Sequence, residues 1–213
     1  VDLMDIARVE VLRGPQGTLF GRNTTAGLIQ IVSNAPGPDQ EFEVQAGVGS
    51  DGHQTYGFVY NQPITDSLSG RFALYSKERD GFIINSVTGN DRGNEDAMSY
   101  RGSLALNMDN YSARFTYDHF EADERAPLAS CRFIADPDAG AGLNFVSQLF
   151  GIYDNIQTNC AATNRDVSID TTNNESTRSD VDAFILNQSY DFGSAKVSAI
   201  SSYREIKAFN GSW

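Results

Sequence analysis

RVEVLRGPQGTLFGRNTTAGLIQIVS, residues Arg8 to Ser33, is the stretch whose reading decides the fold. Val9 and Val11 alternate with Arg8 and Glu10, the period of a half-buried strand, and Leu12 leads into Arg13-Gly14-Pro15, which must turn the chain. Gly14, Gly17, Gly21 and Gly27 punctuate the loop, and Leu28-Ile29-Gln30-Ile31-Val32 restarts a β-branched run. The stretch therefore reads as a compact β-loop-β unit.

These residues resemble the end of the plug domain of TonB-dependent outer-membrane receptors. That signature runs as an acidic, apolar strand, then L-R-G-P-x-G-x-L-[YF]-G, four variable positions, and G-x-I-x-I. Glu10, Leu12, Arg13, Gly14, Pro15, Gly17, Leu19, Phe20, Gly21, Gly27, Ile29 and Ile31 fall on it. The resemblance departs at Thr25-Ala26-Gly27-Leu28, where many relatives carry a second glycine. It implies a structural role for Arg13, Gly14, Pro15, Gly17, Gly21, Arg22 and Gly27. Arg13 and Arg22 are its charged members, and at least one is expected to meet carboxylates on a barrel wall, because a charge inside a plugged lumen is costly unless matched.

The rest of the chain fits that frame. Ser33-Asn34-Ala35-Pro36-Gly37-Pro38 interrupts any regular structure and marks a hinge, so residues 1–38 are expected to close a plug and residues 39–213 to supply about seven barrel strands. Roughly 22 strands make a plugged transporter barrel, so an open, curved sheet with two unpaired edges is expected. From Glu41 onward strands alternate. Phe42, Val44, Ala46 and Val48 share one face and Glu41, Glu43, Gln45 and Gly47 the other; Tyr56, Phe58 and Tyr60 oppose Thr55, Gly57 and Asn61; Phe72 and Leu74 oppose Arg71 and Lys77. Tyr100 to Met108 and Tyr111 to Tyr117 read as a hairpin turning at Asp109-Asn110, and Asp182 to Phe192 and Lys196 to Phe209 as a second turning at Gly193-Ser194. Aromatic residues at strand ends (Tyr75, Phe82, Tyr117, Phe120, Tyr190, Phe192, Tyr203) suggest an interfacial girdle. The fold class is mainly β: part of an antiparallel transmembrane β-barrel preceded by the last piece of a plug.

Composition is compatible with this and excludes other classes. No apolar run of about 18 residues exists in the 213, which removes a transmembrane helix but not a barrel, whose strands need about 9 to 11 residues each. A net charge of −12 argues against nucleic-acid binding. Acidic residues concentrate in loops expected at Asn90 to Asp96 and Asp118 to Glu124, read as solvated surface ahead of a meeting place for divalent cations. Val1 in place of methionine and Trp213 at the close of a strand-like run read as cut ends of a longer chain.

No catalytic or metal centre assembles. Gly47, Gly49 and Gly52 spell a dinucleotide fingerprint, but a strand rather than a helix comes after them. His53 and His119 lie on different strands without a nucleophile motif, and Asp136 to Gly140 lacks the third oxygen position and distal glutamate of a calcium loop. Sequons at Asn23, Asn110, Asn174 and Asn187 carry little weight. Cys131 and Cys160 share the longest connection, Arg125 to Arg178, where a disulfide closing about 30 residues is expected in an exported protein. That connection and Phe82 to Asp96 are expected on the external side, contributing to ligand entry.

The resemblance implies a receptor of the Gram-negative outer membrane taking up a scarce ligand such as a ferric siderophore. It would be energised by the inner-membrane TonB complex through an upstream segment and embedded in outer-membrane lipid, with no cofactor, metal or enzymatic step; which residues touch ligand is unknown. The rival is a secreted β-rich module that binds carbohydrate or protein.

Overall fold

The computed structural model describes residues 5–85, 90–125, 166–167 and 176–210. Cys131, Cys160, the Asp136 to Gly140 turn and most of the Arg125 to Arg178 connection lie outside them.

Two sheets carry the architecture. The first is the expected hairpin, β1 (Ile6–Arg13) antiparallel to β2 (Gly27–Ser33), joined through a single helical turn α1 (Gly17–Phe20) that the sequence did not announce. Gly27 opens β2 at φ 149°, and a Cβ there would stand 2.6 Å from the Leu12 carbonyl oxygen, so only glycine lets the strands close. Gln16 N–H donates to Thr24 O at 2.9 Å and stitches the loop across its waist.

The second sheet has seven strands: β3 (Glu41–Val48), β4 (Gln54–Pro63), β5 (Leu68–Arg79), β8 (Glu95–Asn107), β9 (Tyr111–Arg125), β11 (Ser176–Asp191) and β12 (Lys196–Asn210). They form an antiparallel meander in chain order, open between β3 and β12. Short β6 (Ile83–Asn85), β7 (Asp91–Arg92) and β10 (Asp166–Val167) make a three-stranded sheet in the long connections. Turn chemistry explains the short links. Asp51 and Gly52, at φ 55° and 66°, suit the primed turn that matches strand twist, and Asp191 Oδ1 accepts the N–H of Gly193, itself at φ 82°. Because every neighbour in the seven-stranded sheet is antiparallel, 49–53, 80–94 and 126–175 all join its strands at one end, and the turns at Ile64, Met108 and Phe192 lie at the other.

Two strand boundaries differ from the sequence reading. Asp118 to Glu124, read as a solvated loop, continues β9, and Glu95 and Asp96 begin β8. Acidic residues are tolerated there because Asp118 to Glu124 pair with β11 and, as far as Ala122, with β8, while Glu95 and Asp96 pair with β5, satisfying the backbone.

Residues directly paired across antiparallel strands share a face, so the registers define rows. One row runs Glu41, Asn61, Arg71, Ser103, Thr116, Ile185, Ser202. The opposite face carries Phe42, Tyr60, Phe72, Gly102, Tyr117, Phe184, Tyr203.

Candidate functional site

The β1–β2 hairpin meets the wall on the first of these faces. Asp5, just ahead of β1 and at φ 52°, accepts from Arg71 Nε at 2.8 Å and Nη2 at 2.7 Å, while Arg71 Nη1 donates to Glu41 at 2.7 Å. The side chains of Asp5 and Arg71 are only 3% and 9% exposed. Asn34, beyond β2, donates through Nδ2 to Asp5 Oδ1 and through its backbone to Asp5 O, so one residue ties both ends of the hairpin to the wall. Burial pushes the Asp5 carboxyl up, and the hydrogen bonds from Arg71 and Asn34 together outweigh it, holding the group below the ordinary aspartate range. A polar cavity of about 580 Å³, lined by Asp5, Asn34, Glu41, Glu43, Arg71 and Tyr75, lies between hairpin and wall.

Among the described residues, the charge that joins hairpin and wall is not one of the two motif arginines. Arg13 and Arg22 are exposed and meet no carboxylate among the described residues; the hairpin supplies the acid and the wall the arginine. The reason is placement. The 14–26 loop stands clear of the wall, whereas the base of the hairpin lies against it.

The chain between the sheets is held as well. Asn61, the largest side chain with full burial among the described residues, donates from Nδ2 to Gly37 O at 3.0 Å and Asp39 O at 2.6 Å, and its Oδ1 accepts from Gly37 N at 3.0 Å. The Pro-Gly-Pro stretch is thus pinned to β4 rather than left as a free hinge.

The faces differ in chemistry. Among the described residues every buried apolar side chain is on the hairpin side and all but one are alanine: Val59, Ala73, Ala97, Ala105 and Ala183. Most of the exposed large apolar side chains of this sheet stand on the other face, among them Phe42 at 68%, Leu104 at 49%, Phe184 at 42% and Tyr203 at 61%, with Ile200 and Ile206 of the edge strand the exceptions. Their rings pack along the sheet, edge to face for Phe42 and Phe58 with centroids 5.6 Å apart and stacked for Tyr117 and Phe184 at 4.8 Å. A soluble sandwich would bury that face and show water the polar one; here the order is inverted, as in a wall between lipid and an aqueous lumen.

Strands of 15 and 16 residues exceed the span of about 9 to 11, and the excess is legible on the outward face. Toward the long connections its rows turn polar: His119, Asp182, Glu205; Glu121, Asp180, Lys207; Asp123, Arg178, Phe209. Tyr117, Tyr190 and Tyr203 face outward as a girdle requires, but Tyr75 and Phe120 face the hairpin side, and Phe82 lies under Arg79 in the 80–94 connection.

Known receptors and transporters are similar to this chain. The pesticin receptor of Yersinia pestis is 39% identical over 90 residues, 42% of this chain and 13% of that protein. The vitamin B12 transporter BtuB of Vibrio vulnificus is 25% identical over 121 residues, 55% of this chain and 20% of that protein. The crystal structure of the ferric yersiniabactin uptake receptor FyuA from Yersinia pestis superposes on 96% of this chain with a TM-score of 0.75 at 24% identity, over 29% of its own length. The chain resembles the TonB-dependent outer-membrane receptors in sequence and in fold. No protein-family model matches it. This chain spans less than a third of the length of these relatives.

One further grouping escaped the sequence. His119 Nδ1 lies 2.9 Å from Asp182 Oδ1, which also accepts from Tyr117 Oη at 2.6 Å, and with Asp180 the histidine and Asp182 offer ligand-type atoms within 4.8 Å of one another. Tyr100 stacks on the His119 ring at 4.8 Å. The pairing of β9 with β11 brings them together across 63 residues, so no local spacing signals it.

Proposed function

We propose that residues 1–38 close the plug and residues 39–213 begin the barrel of a receptor that captures a scarce iron chelate of the siderophore class and passes it across the outer membrane without a chemical step. The observation that carries this is the buried Asp5–Arg71 pair, which seats the hairpin on the lumenal face of a wall whose other face is apolar. A plug so seated blocks the lumen, and moving it requires work, which in this family comes from the TonB complex. The 80–94 and 126–175 connections, at the end where the outward face turns polar, are positioned to meet ligand outside. Support comes from relatives named for ferric yersiniabactin and ferripyoverdine.

The test is uptake of radiolabelled iron by iron-starved cells with and without the complete receptor, each with and without TonB. Receptor- and TonB-dependent uptake of a ferric chelate is expected. Receptor-dependent uptake of cobalamin but of no iron chelate would move the assignment toward the BtuB branch.

A further inference from the structure

Resting on that reading, we infer that the lumenal wall carries an anion subsite built by Arg101, Arg204 and Ser99, and that it takes a carboxylate of the transported ligand. The residues line a cavity of about 280 Å³ formed by β8, β9, β11 and β12. Arg101, Asp118, Ala183 and Arg204 stand in one row, so the two arginines flank the cavity three strand spacings apart, about 14 Å between backbones and within reach of one small ligand for side chains of their length.

Two buried donors there lack an acceptor among the described residues, and the exposed Arg204 stands across the cavity from them. Arg101 spends Nε on Asp118 Oδ1 at 2.5 Å, while its Nη1 is buried with no hydrogen-bond partner among the described residues. Ser99, two residues along the same face of β8, holds its Oγ in the same condition. Arg204 meets no carboxylate within ion-pair distance among the described residues. Buried donors are rarely left unmatched, and two guanidiniums against the single carboxylate of Asp118 leave the cavity one positive charge in excess. Phe120 and Ile206 line it too, so the acceptor arrives on a body with apolar surface.

Position separates this subsite from the hairpin anchor. Ser99 and Arg101 precede Ser103, the row partner of Arg71, and so lie nearer the end of β8 that receives the long external connection. Asp5 is already bound by Arg71. A carboxylate from elsewhere in the same receptor would satisfy the same donors, and the experiment tells the sources apart.

Complete receptor in detergent is titrated, by its intrinsic fluorescence, with ferric citrate and with a neutral ferric trihydroxamate. The native receptor is expected to bind ferric citrate, and R101Q/R204Q to bind it about tenfold or more weakly with the neutral complex unaffected. R204Q alone, which breaks no ion pair, should show part of the loss in a receptor of unchanged heat-modifiable migration. Equal losses for both chelates, or no binding of ferric citrate by the native receptor, would overturn the subsite. So would unchanged ferric citrate affinity in R101Q/R204Q accompanied by faster proteolysis within residues 5–34, which would assign the donors to a carboxylate of the receptor itself. Iron uptake by cells carrying the native receptor, measured in parallel, reports on the transport reading independently.

Discussion

Arg71 on the wall and Asp5 at the foot of the β1–β2 hairpin share two hydrogen bonds, through Nε and Nη2, across 66 residues of sequence. The pair joins the two sheets at a point buried from water, and Glu41 holds the third guanidinium nitrogen.

The two partners are not equivalent. Arg71→Met leaves Asp5 buried with only Asn34, and removing one member of a buried pair costs about 3–5 kcal/mol. Asp5→Asn leaves Arg71 on Glu41 and should cost about 1–3 kcal/mol. Urea-induced release of the hairpin, followed by a label on Thr25 in the complete receptor, would show the difference; equal effects would mean that Glu41 does not compensate.

The same anchor carries a pH dependence. Asp5 titrates below its ordinary value of 3.8, so its contribution is fully present above that value and is lost as pH falls through the depressed one. Hairpin release at fixed urea should therefore rise only below about pH 4 and should be insensitive to pH there in Asp5→Asn.

Asn61 satisfies Gly37 N, Gly37 O and Asp39 O at once. Asn61→Ala strands all three and should cost about 2–4 kcal/mol; Asn61→Asp keeps only the acceptor and should fare no better. Protease cleavage within residues 35–40 is expected to accelerate in both, and an unchanged rate would show that the clamp is not what holds this segment.

The two faces of β5 should respond oppositely to charge. Phe72 faces lipid and Tyr75 the lumen, so Phe72→Arg is expected to cost about 2–4 kcal/mol of folding into phospholipid vesicles and Tyr75→Arg far less. Comparable losses at both positions would contradict the assigned sidedness.

In the 80–94 connection, Asp91 accepts Gly81 N at 2.7 Å and pairs with Arg125, which hold its carboxyl below the ordinary range in spite of partial burial. Asp91→Asn should speed amide exchange at Gly81 above about pH 4, where the native carboxylate is ionised, and converge with native protein below it.

Strands, short turns and the hairpin were legible because each depends on local chemistry. Alternation has period two, Asp51-Gly52 and Gly193 suit tight turns, and Gly27 must admit the Leu12 carbonyl. The orientation of the wall was legible as well, since Phe42, Phe58 and Phe72 fall opposite Glu41, Asn61 and Arg71 in any register that keeps the pleat.

What only the tertiary structure decided is which distant residues stand level with one another. Strand pairing put His119 beside Asp182 and carried β9 through the acidic run to Arg125, because backbone pairing with β8 and β11 outweighs local polarity beyond the membrane. Docking made Asp5 the charge that meets the described part of the wall, and made Asn61 the clamp on a segment that composition marks as a hinge. The physical reason is common to these cases: a side chain's face is set by its neighbours in sequence, whereas its partner is set by register and sheet placement, which depend on contacts between residues far apart in the chain.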